Sequence, residues 1–257
     1  MENKVILISI DGMRADGLLA CKNPYLDELK KIASYTFDAR TVFPSVTLPC
    51  HMSMFHSVPP ERHGITTNNY MPQVRPVDGL FEQIKKMGGV SAMYYGWEPL
   101  RDISRPASLK AAEYINAYTF DNTDAMLTDR ALNYIKLAHP DFVFLYMVET
   151  DEKGGHDNGW MTEPYLKCIH DAINNVKRVI EETNGEYTVI VTADHGGHDR
   201  AHGSDMDEDM TIPMIFYGKE FKAGECLSGV SILDLAPTIA KIMGVPKAPE
   251  WEGKELV

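Results

Sequence analysis

Along the chain, short dense apolar runs alternate with longer stretches in which apolar residues recur every three or four positions. The runs at 5–10, 90–95, 142–148, 187–193 and 214–217 are rich in Val, Ile, Phe and Tyr and read as strands. The stretches at 25–35, 48–56, 79–87, 123–137, 163–182 and 233–243 carry the helical period. This alternation predicts an α/β fold: a mostly parallel central sheet with helices on both faces. Phe142-Val143-Phe144-Leu145-Tyr146-Met147-Val148 is apolar at odd and even positions alike, as a central strand covered from both sides requires. No internal repeat and no linker rich in Gly and Ser divides the chain, so residues 1–257 are expected to form one domain. Residues 96–122 are the least regular stretch and are expected to be a small insertion over the site.

Composition narrows the picture. With 44% hydrophobic residues over 257 positions, the chain can bury one substantial core. Its first apolar run follows Glu2 and Lys4 and stops at Asp11, well short of a signal-peptide core or a membrane span, so a cytoplasmic protein is expected. Cys21, Cys50, Cys168 and Cys226 are scattered without a Cys-x-x-Cys pair, which suggests reduced thiols and no thiolate metal site. A net charge of −12, from 25 basic and 37 acidic residues, argues against nucleic-acid polymers and anionic membranes as partners. Bound cations would offset part of that charge.

Ligands of open α/β sheets gather beyond the carboxyl ends of the strands. Three acidic groups stand there: Asp11-Gly12 after the first run, Glu149-Thr150-Asp151 after the run at 142–148, and Asp194-His195-Gly196 after the run at 187–193. Taken singly, each is an ordinary turn or helix cap. Their convergence on one edge favours a metal site. The segment Thr192 to Gly203 adds His195, His198 and His202, and carboxylate with imidazole suits divalent ions; Gly196 and Gly197 are expected to let the backbone turn sharply.

Phe43-Pro44-Ser45-Val46-Thr47-Leu48-Pro49-Cys50-His51 supplies a partner for such a site. Thr47 falls at the start of a predicted helix, with Pro49 in the first turn, where a missing amide costs little. The free amides of that turn favour an anion such as phosphate. Thr47 is either an N-cap or a nucleophile awaiting activation; a threonine hydroxyl attacks only when a metal or a base lowers its pKa.

Together with Ile10-Asp11-Gly12-Met13-Arg14, His63-Gly64-Ile65-Thr66-Thr67-Asn68 and Asp194-His195-Gly196, this segment resembles the alkaline phosphatase superfamily, and within it the nucleotide pyrophosphatase/phosphodiesterase branch. The resemblance spans nearly the whole chain. It implies two divalent cations, zinc first and manganese or iron as alternatives. Asp11, Thr47, Asp194 and His195 would hold one, with Thr47 as nucleophile. Asp151, His156 and a histidine after the Asp-His-Gly turn would hold the other. Asn68 resembles the asparagine that bonds a phosphoryl oxygen in this branch.

Two positions depart from the family pattern. Asp151 precedes His156 by five residues where the family has four, leaving Glu152 as a rival. His202, in His202-Gly203-Ser204-Asp205, matches the family's His-Gly segment, with His198 as its rival. Cys50 is read as a helix neighbour of the nucleophile, and the sequence Thr47-Leu48-Pro49-Cys50-His51 departs from the sulfatase motif. His51, His56 and His63 are read as structural, and His139 and His170 as helix-surface residues. Trp97, Arg101 and Arg105 are possible contacts to a leaving group or packing residues of the insertion. The expected activity is a metal-dependent phosphoric-ester hydrolase of the phosphodiesterase or nucleotide pyrophosphatase type, acting on a small ester through a phosphothreonine. Alternatives on the same core are a phosphomonoesterase, phosphonate hydrolase or phosphomutase, and an inactive metal- or phosphate-binding module.

Overall fold

β1 (Lys4–Ile10), β2 (Ser34–Arg40), β3 (Ser91–Tyr95), β4 (Ala111–Tyr114), β5 (Phe142–Met147), β6 (Tyr187–Thr192) and β7 (Thr211–Tyr217) form one sheet in a computed structural model that describes residue 1 and residues 3–257. The strand order is β2-β7-β6-β1-β5-β3-β4. β6, β1, β5, β3 and β4 pair in parallel, whereas β7 runs antiparallel to both β6 and β2. Every residue of β5 and β6 is buried, as is β1 beyond Lys4, because helices cover both faces. Each large apolar side chain so buried stabilises the fold by about 1.5–3 kcal/mol relative to exposure.

The helices are α1 (Ala15–Ala20), α2 (Pro24–Ile32), α3 (Thr47–His56), α4 (Pro60–His63), α5 (Leu80–Lys86), α6 (Thr123–Ala138), α7 (Glu163–Thr183), α8 (Asp207–Met210) and α9 (Leu235–Met243). α1, α2 and α6 pack with α7 on one face, and α3, α5 and α9 pack together on the other. α3 is anchored by aromatics: Phe55 stacks on Phe81 of α5 at 4.8 Å and meets Phe144 of β5 edge-on at 4.8 Å. α7 shows why the helical period was readable. Pro164 fits its first turn, apolar positions such as Ile169, Ile173, Val176 and Ile180 face inward, and Asn184 closes it in the left-handed conformation.

Three expectations need correction. The helix expected over 25–35 ends at Ile32, and Ser34 begins β2 instead. Pairing with β7 overrides the local period there. Residues 96–122, read as the least regular stretch, include a 3-10 turn (Glu98–Ile103) and β4, the edge strand beside β3. The helix expected from residue 233 begins at Leu235, after a 3-10 turn (Ile232–Asp234) capped by Ser231.

Candidate metal centre

β6, β1 and β5 lie side by side at the middle of the sheet, so the residues that follow them converge on one edge. Asp11 follows β1, Asp194 follows β6, and Asp151 sits in a π-helical turn (Thr150–His156) after β5. α3 aims its first residue at the same point. Its N-cap is Val46, with an extended backbone and no side-chain cap, so Thr47 is the first helical residue and its hydroxyl is not used as a cap. Thr47 Oγ1 lies 3.2 Å from His195 Nε2 instead. Asn68 Oδ1 accepts from the Leu48 amide at 3.0 Å, which fixes the asparagine beside Thr47.

His195 Nε2 is 3.3 Å from Asp11 Oδ1 and 3.3 Å from Asp194 Oδ2. Bonds of about 2.0–2.1 Å to a tetrahedral zinc ion would set its donors apart by about 3.3 Å, so Asp11, Thr47, Asp194 and His195 present donor atoms at a fitting spacing. A second set adjoins the first. His156 Nε2 lies 3.3 Å from Asp151 Oδ2, His202 Nε2 lies 4.0 Å from Asp151 Oδ1, and the rings of His195 and His202 stack at 3.9 Å. Donor atoms of Asp11, Asp194 and His195 all fall within 4.8 Å of one another, as do those of Asp151, His195 and His202.

All three histidines are oriented alike. Nδ1 of His195 donates to Gly196 O at 2.7 Å, that of His202 to Ser45 O at 2.9 Å, and that of His156 to Arg200 O at 3.1 Å. A carbonyl can only accept, so Nδ1 carries the proton in each; the neutral rings of His195 and His202 turn the Nε2 lone pair toward the carboxylates, and His156 would do so on giving up its Nε2 proton to a bound cation. Among the described residues, no donor reaches Asp11 Oδ1, Asp151 Oδ1 or Asp194 Oδ2, all buried. Lone pairs facing lone pairs in a buried site call for a positive charge between them. This donor chemistry and these orphaned oxygens fit divalent cations.

The titration of the site tells the same story. Burial, with the charges of Asp194 and Asp151, raises Asp11 well above the usual carboxylate range, and burial also raises Asp194. Burial pushes His195 down and takes His202 to about 4. His156 moves the other way, to about 9, because it bonds Asp151. Burial works to raise Asp151, yet the three histidines together hold it below its usual value.

The rival residues make other bonds. Glu152 accepts from the Tyr118 hydroxyl at the mouth of the site. His198 Nδ1 pairs with Asp209 Oδ1 at 2.8 Å. Arg101 is tied to Glu98 at 2.6 Å, and Arg105 to Asp78 and the Val77 carbonyl. Trp97, in contrast, lines the cavity of about 120 Å³ above Thr47, together with Asn68, Tyr118, Glu152, His156 and His202. His139 is exposed where α6 ends, and His170 is half-buried on α7.

Of the supports, sequence reasoning read only His51 as structural and missed the others. The Tyr146 hydroxyl donates to Asp11 Oδ2. A tyrosine in a strand buried on both faces needs such a partner, which was the available signal. His51 bonds Thr47 O at 2.8 Å and Ser9 Oγ at 3.1 Å, with Asp194 Oδ2 3.5 Å away. Trp160 Nε1 donates to Gly12 O at 2.9 Å while its ring meets His156 edge-on. Gly12 turns with φ +64°, and a Cβ there would lie 2.7 Å from Asp151 Oδ1, so only glycine suits the approach. Gly196 and Gly197 serve otherwise than expected: neither has a positive φ, and side chains there would collide with Glu208 O at 2.0 Å and with Trp160 at 2.2 Å.

Fold and donor geometry together define a class, an α/β protein with a candidate binuclear metal centre at the carboxyl edge of its sheet. Comparison with known proteins specifies the family. Residues 5–210 match the model for type I phosphodiesterase / nucleotide pyrophosphatase, and the chain belongs to that family, within the alkaline phosphatase superfamily. It is 30% identical over 129 residues to a phosphopentomutase of Alkaliphilus metalliredigens, covering 50% of this chain and 32% of that protein. It is 26% identical over 217 residues to ectonucleotide pyrophosphatase/phosphodiesterase family member 3 of Rattus norvegicus, covering 75% of this chain and 24% of that protein. The chain thus spans less than half the length of these relatives. In fold it is similar to an inactive variant of murine ectonucleotide pyrophosphatase/phosphodiesterase 5 in complex with AMP, with a TM-score of 0.84, 16% identity and 98% of each chain covered. A phosphonate monoester hydrolase from Silicibacter pomeroyi superposes with a TM-score of 0.76 at 17% identity, over 99% of this chain and 76% of the other.

Proposed function

We propose that this protein is a phosphodiesterase of the nucleotide pyrophosphatase type, with Thr47 as its nucleophile. The observation that carries this reading is the position of Thr47 Oγ1, 3.2 Å from His195 Nε2 at the floor of a cavity bordered by orphaned carboxylate oxygens. Asp11, Thr47, Asp194 and His195 would hold one divalent cation, and Asp151, His156 and His202 another, zinc by preference, with manganese or iron also accepted by oxygen and nitrogen donors. Bound there, the cations would lower the pKa of the Thr47 hydroxyl and offset the charge of the phosphoryl oxygens.

The Thr47 oxygen attacks phosphorus, the bond to the leaving alcohol breaks in line, and water then cleaves the phosphothreonine. Asn68, whose Oδ1 is occupied by the Leu48 amide, keeps its Nδ2 hydrogens for a phosphoryl oxygen. Among the described residues, no Lys or Arg lines this cavity, which favours a singly charged diester over a monoester. The same core accommodates a phosphomutase or a phosphonate hydrolase, and the likeness to phosphopentomutases over half the chain keeps the mutase as the second reading. Phosphorus NMR separates them: a mutase yields an isomer, a hydrolase a new monoester and alcohol. We place the protein in the cytoplasm because its four cysteines are all free.

Replacing Thr47 by Ala should lower turnover of nitrophenyl diesters roughly 10⁴-fold or more while leaving bound zinc unchanged. Full activity in that variant would overturn the mechanism.

A further inference from the structure

We propose that Asp209, a buried carboxylate outside the donor set, is a positioning residue for the cation assigned to Asp151, His156 and His202. It sets the loop that carries His202; as a statement about cation binding, this rests on the metal-centre reading above. Asp209 lies in α8 just before β7 and is 0% exposed. Residues 193–206 run as a loop from β6 to α8, so their buried amides need acceptors outside the sheet ladder. Asp209 supplies acceptors at three points of that loop. Its main-chain carbonyl accepts from the Gly196 amide at 2.8 Å, and its Oδ1 accepts from His198 Nδ1 at 2.8 Å. Its Oδ2 accepts from both the amide and the hydroxyl of Ser204, each at 2.8 Å. Burial acts to raise the Asp209 carboxyl, but the bonds from His198 and Ser204 outweigh it and hold the group below its usual value. The loop is thus built around an ionised carboxylate, whose bonds are the stronger for its charge.

From Ser204 the hold passes to the segment that carries the nucleophile. The Ser204 carbonyl accepts from Ser45 Oγ at 2.7 Å, and the Ser45 carbonyl accepts from His202 Nδ1 at 2.9 Å. His202 is therefore fixed between Ser204, which Asp209 holds, and Ser45, two residues before Thr47. Gly203 lets the chain turn between them with φ +107°, where a Cβ would lie 3.2 Å from Val46 Cγ2. With Nδ1 engaged in this way, His202 Nε2 faces Asp151 Oδ1 at 4.0 Å. Releasing Ser204 from Asp209 would free the loop and the ring together without removing any donor atom. His198 bonds Asp209 from the outer side, with its side chain 28% exposed, and is not part of the path to His202.

Zinc titration against a competing chelator tests this without any substrate. Asp209→Ala should bind one zinc equivalent on the order of 10–100-fold more weakly, the same equivalent that His156→Ala weakens, and the other with unchanged affinity. Asp209→Asn should recover most of that loss, because its oxygen still accepts from Ser204 while a neutral His198 ring can turn a lone pair to its amide. Unchanged affinity for both ions in Asp209→Ala would overturn the positioning role and leave the metal-centre reading standing. A loss shared equally by both equivalents, or one that Asp209→Asn fails to recover, would assign Asp209 to the scaffold and also overturn it. Should Asp209→Ala not fold, hydrogen exchange of the unaltered, zinc-free protein decides. The Ser204 amide should then be protected before any zinc is added, and exchange at the rate of an unstructured amide would overturn the proposal. Two zinc ions held by the unaltered protein with no hydrolysis of diesters would overturn the diesterase reading, while the predicted titration pattern would still support Asp209.

Discussion

Asp11, Asp194, Thr47 and His195 project from the ends of β1 and β6 and from the start of α3, and all four are almost wholly buried. Asp151, His156 and His202 come from a π-helical turn and a loop, and the His156 side chain is 37% exposed. The inner half is therefore held by the sheet and α3, through Tyr146, His51 and the Gly12 amide, which donates to Asp194 Oδ1 at 3.2 Å. The outer half is held by backbone carbonyls of Arg200 and Ser45 and by the Trp160 ring. Burial makes charge expensive in the inner half, where Asp11 and Asp194 are raised and His195 lowered. In the outer half, His156 reaches about 9 and stabilises Asp151 as an anion. A cation should thus matter more to the inner half, which has no charged alternative of its own.

The strongest challenge to this contrast is Asp194→Asn. Metal analysis after dialysis should find one ion per chain in place of two, with turnover reduced roughly 10³-fold or more. Retention of both ions would remove Asp194 from the donor set. His156→Ala attacks the more exposed half, where water can take the vacated position. It should weaken one metal equivalent on the order of 10–100-fold and recover activity when zinc is added in excess. If added zinc restores the inner variant as readily, the two halves are not different in kind.

Stability at acid pH separates the site from the scaffold. Burial, with His56 nearby, lowers the His63 pKa from 6.5 to about 3, and the neutral ring accepts from the Ile65 amide at Nδ1 (3.1 Å) while Nε2 bonds Ser53 Oγ at 3.0 Å. A depressed folded pKa contributes stability above pH 6.5 that is lost as pH falls toward 3, with a slope of at most about 1.4 kcal/mol per pH unit. Denaturant melts from pH 7 to 4 should show that slope diminished in His63→Ala. The smallest effect belongs to His198→Ala. Its partly exposed pair with Asp209 should be worth about 1 kcal/mol or less, and the metal content should stay at two ions. Loss of an ion there would return His198 to the donor set.

Much of this arrangement could be read in advance. Asp11, Asp194 and His195 stand directly after dense apolar runs, and a parallel sheet brings such positions together whatever its exact order. Thr47 was readable because Pro49 two residues later marks the start of a helix. The choice between Asp151 and Glu152 was not open to counting, since a π-helical turn shifts the spacing at which side chains share a face. Nor was β2, whose Ser34 and Thr36 are buried while Tyr35 and Phe37 are only partly covered, the reverse of what polarity suggests.

Local pattern thus determined the α/β alternation, the buried central strands and the donor types at their ends, because period and polarity act over a few residues. The partners were decided in three dimensions. Asp209 occupies His198 from eleven positions away, Ser45 turns His202 inward from 157 positions away, and Tyr146 reaches Asp11 across 135. Contacts between residues so far apart depend on which strands become neighbours, and only the folded sheet settles that.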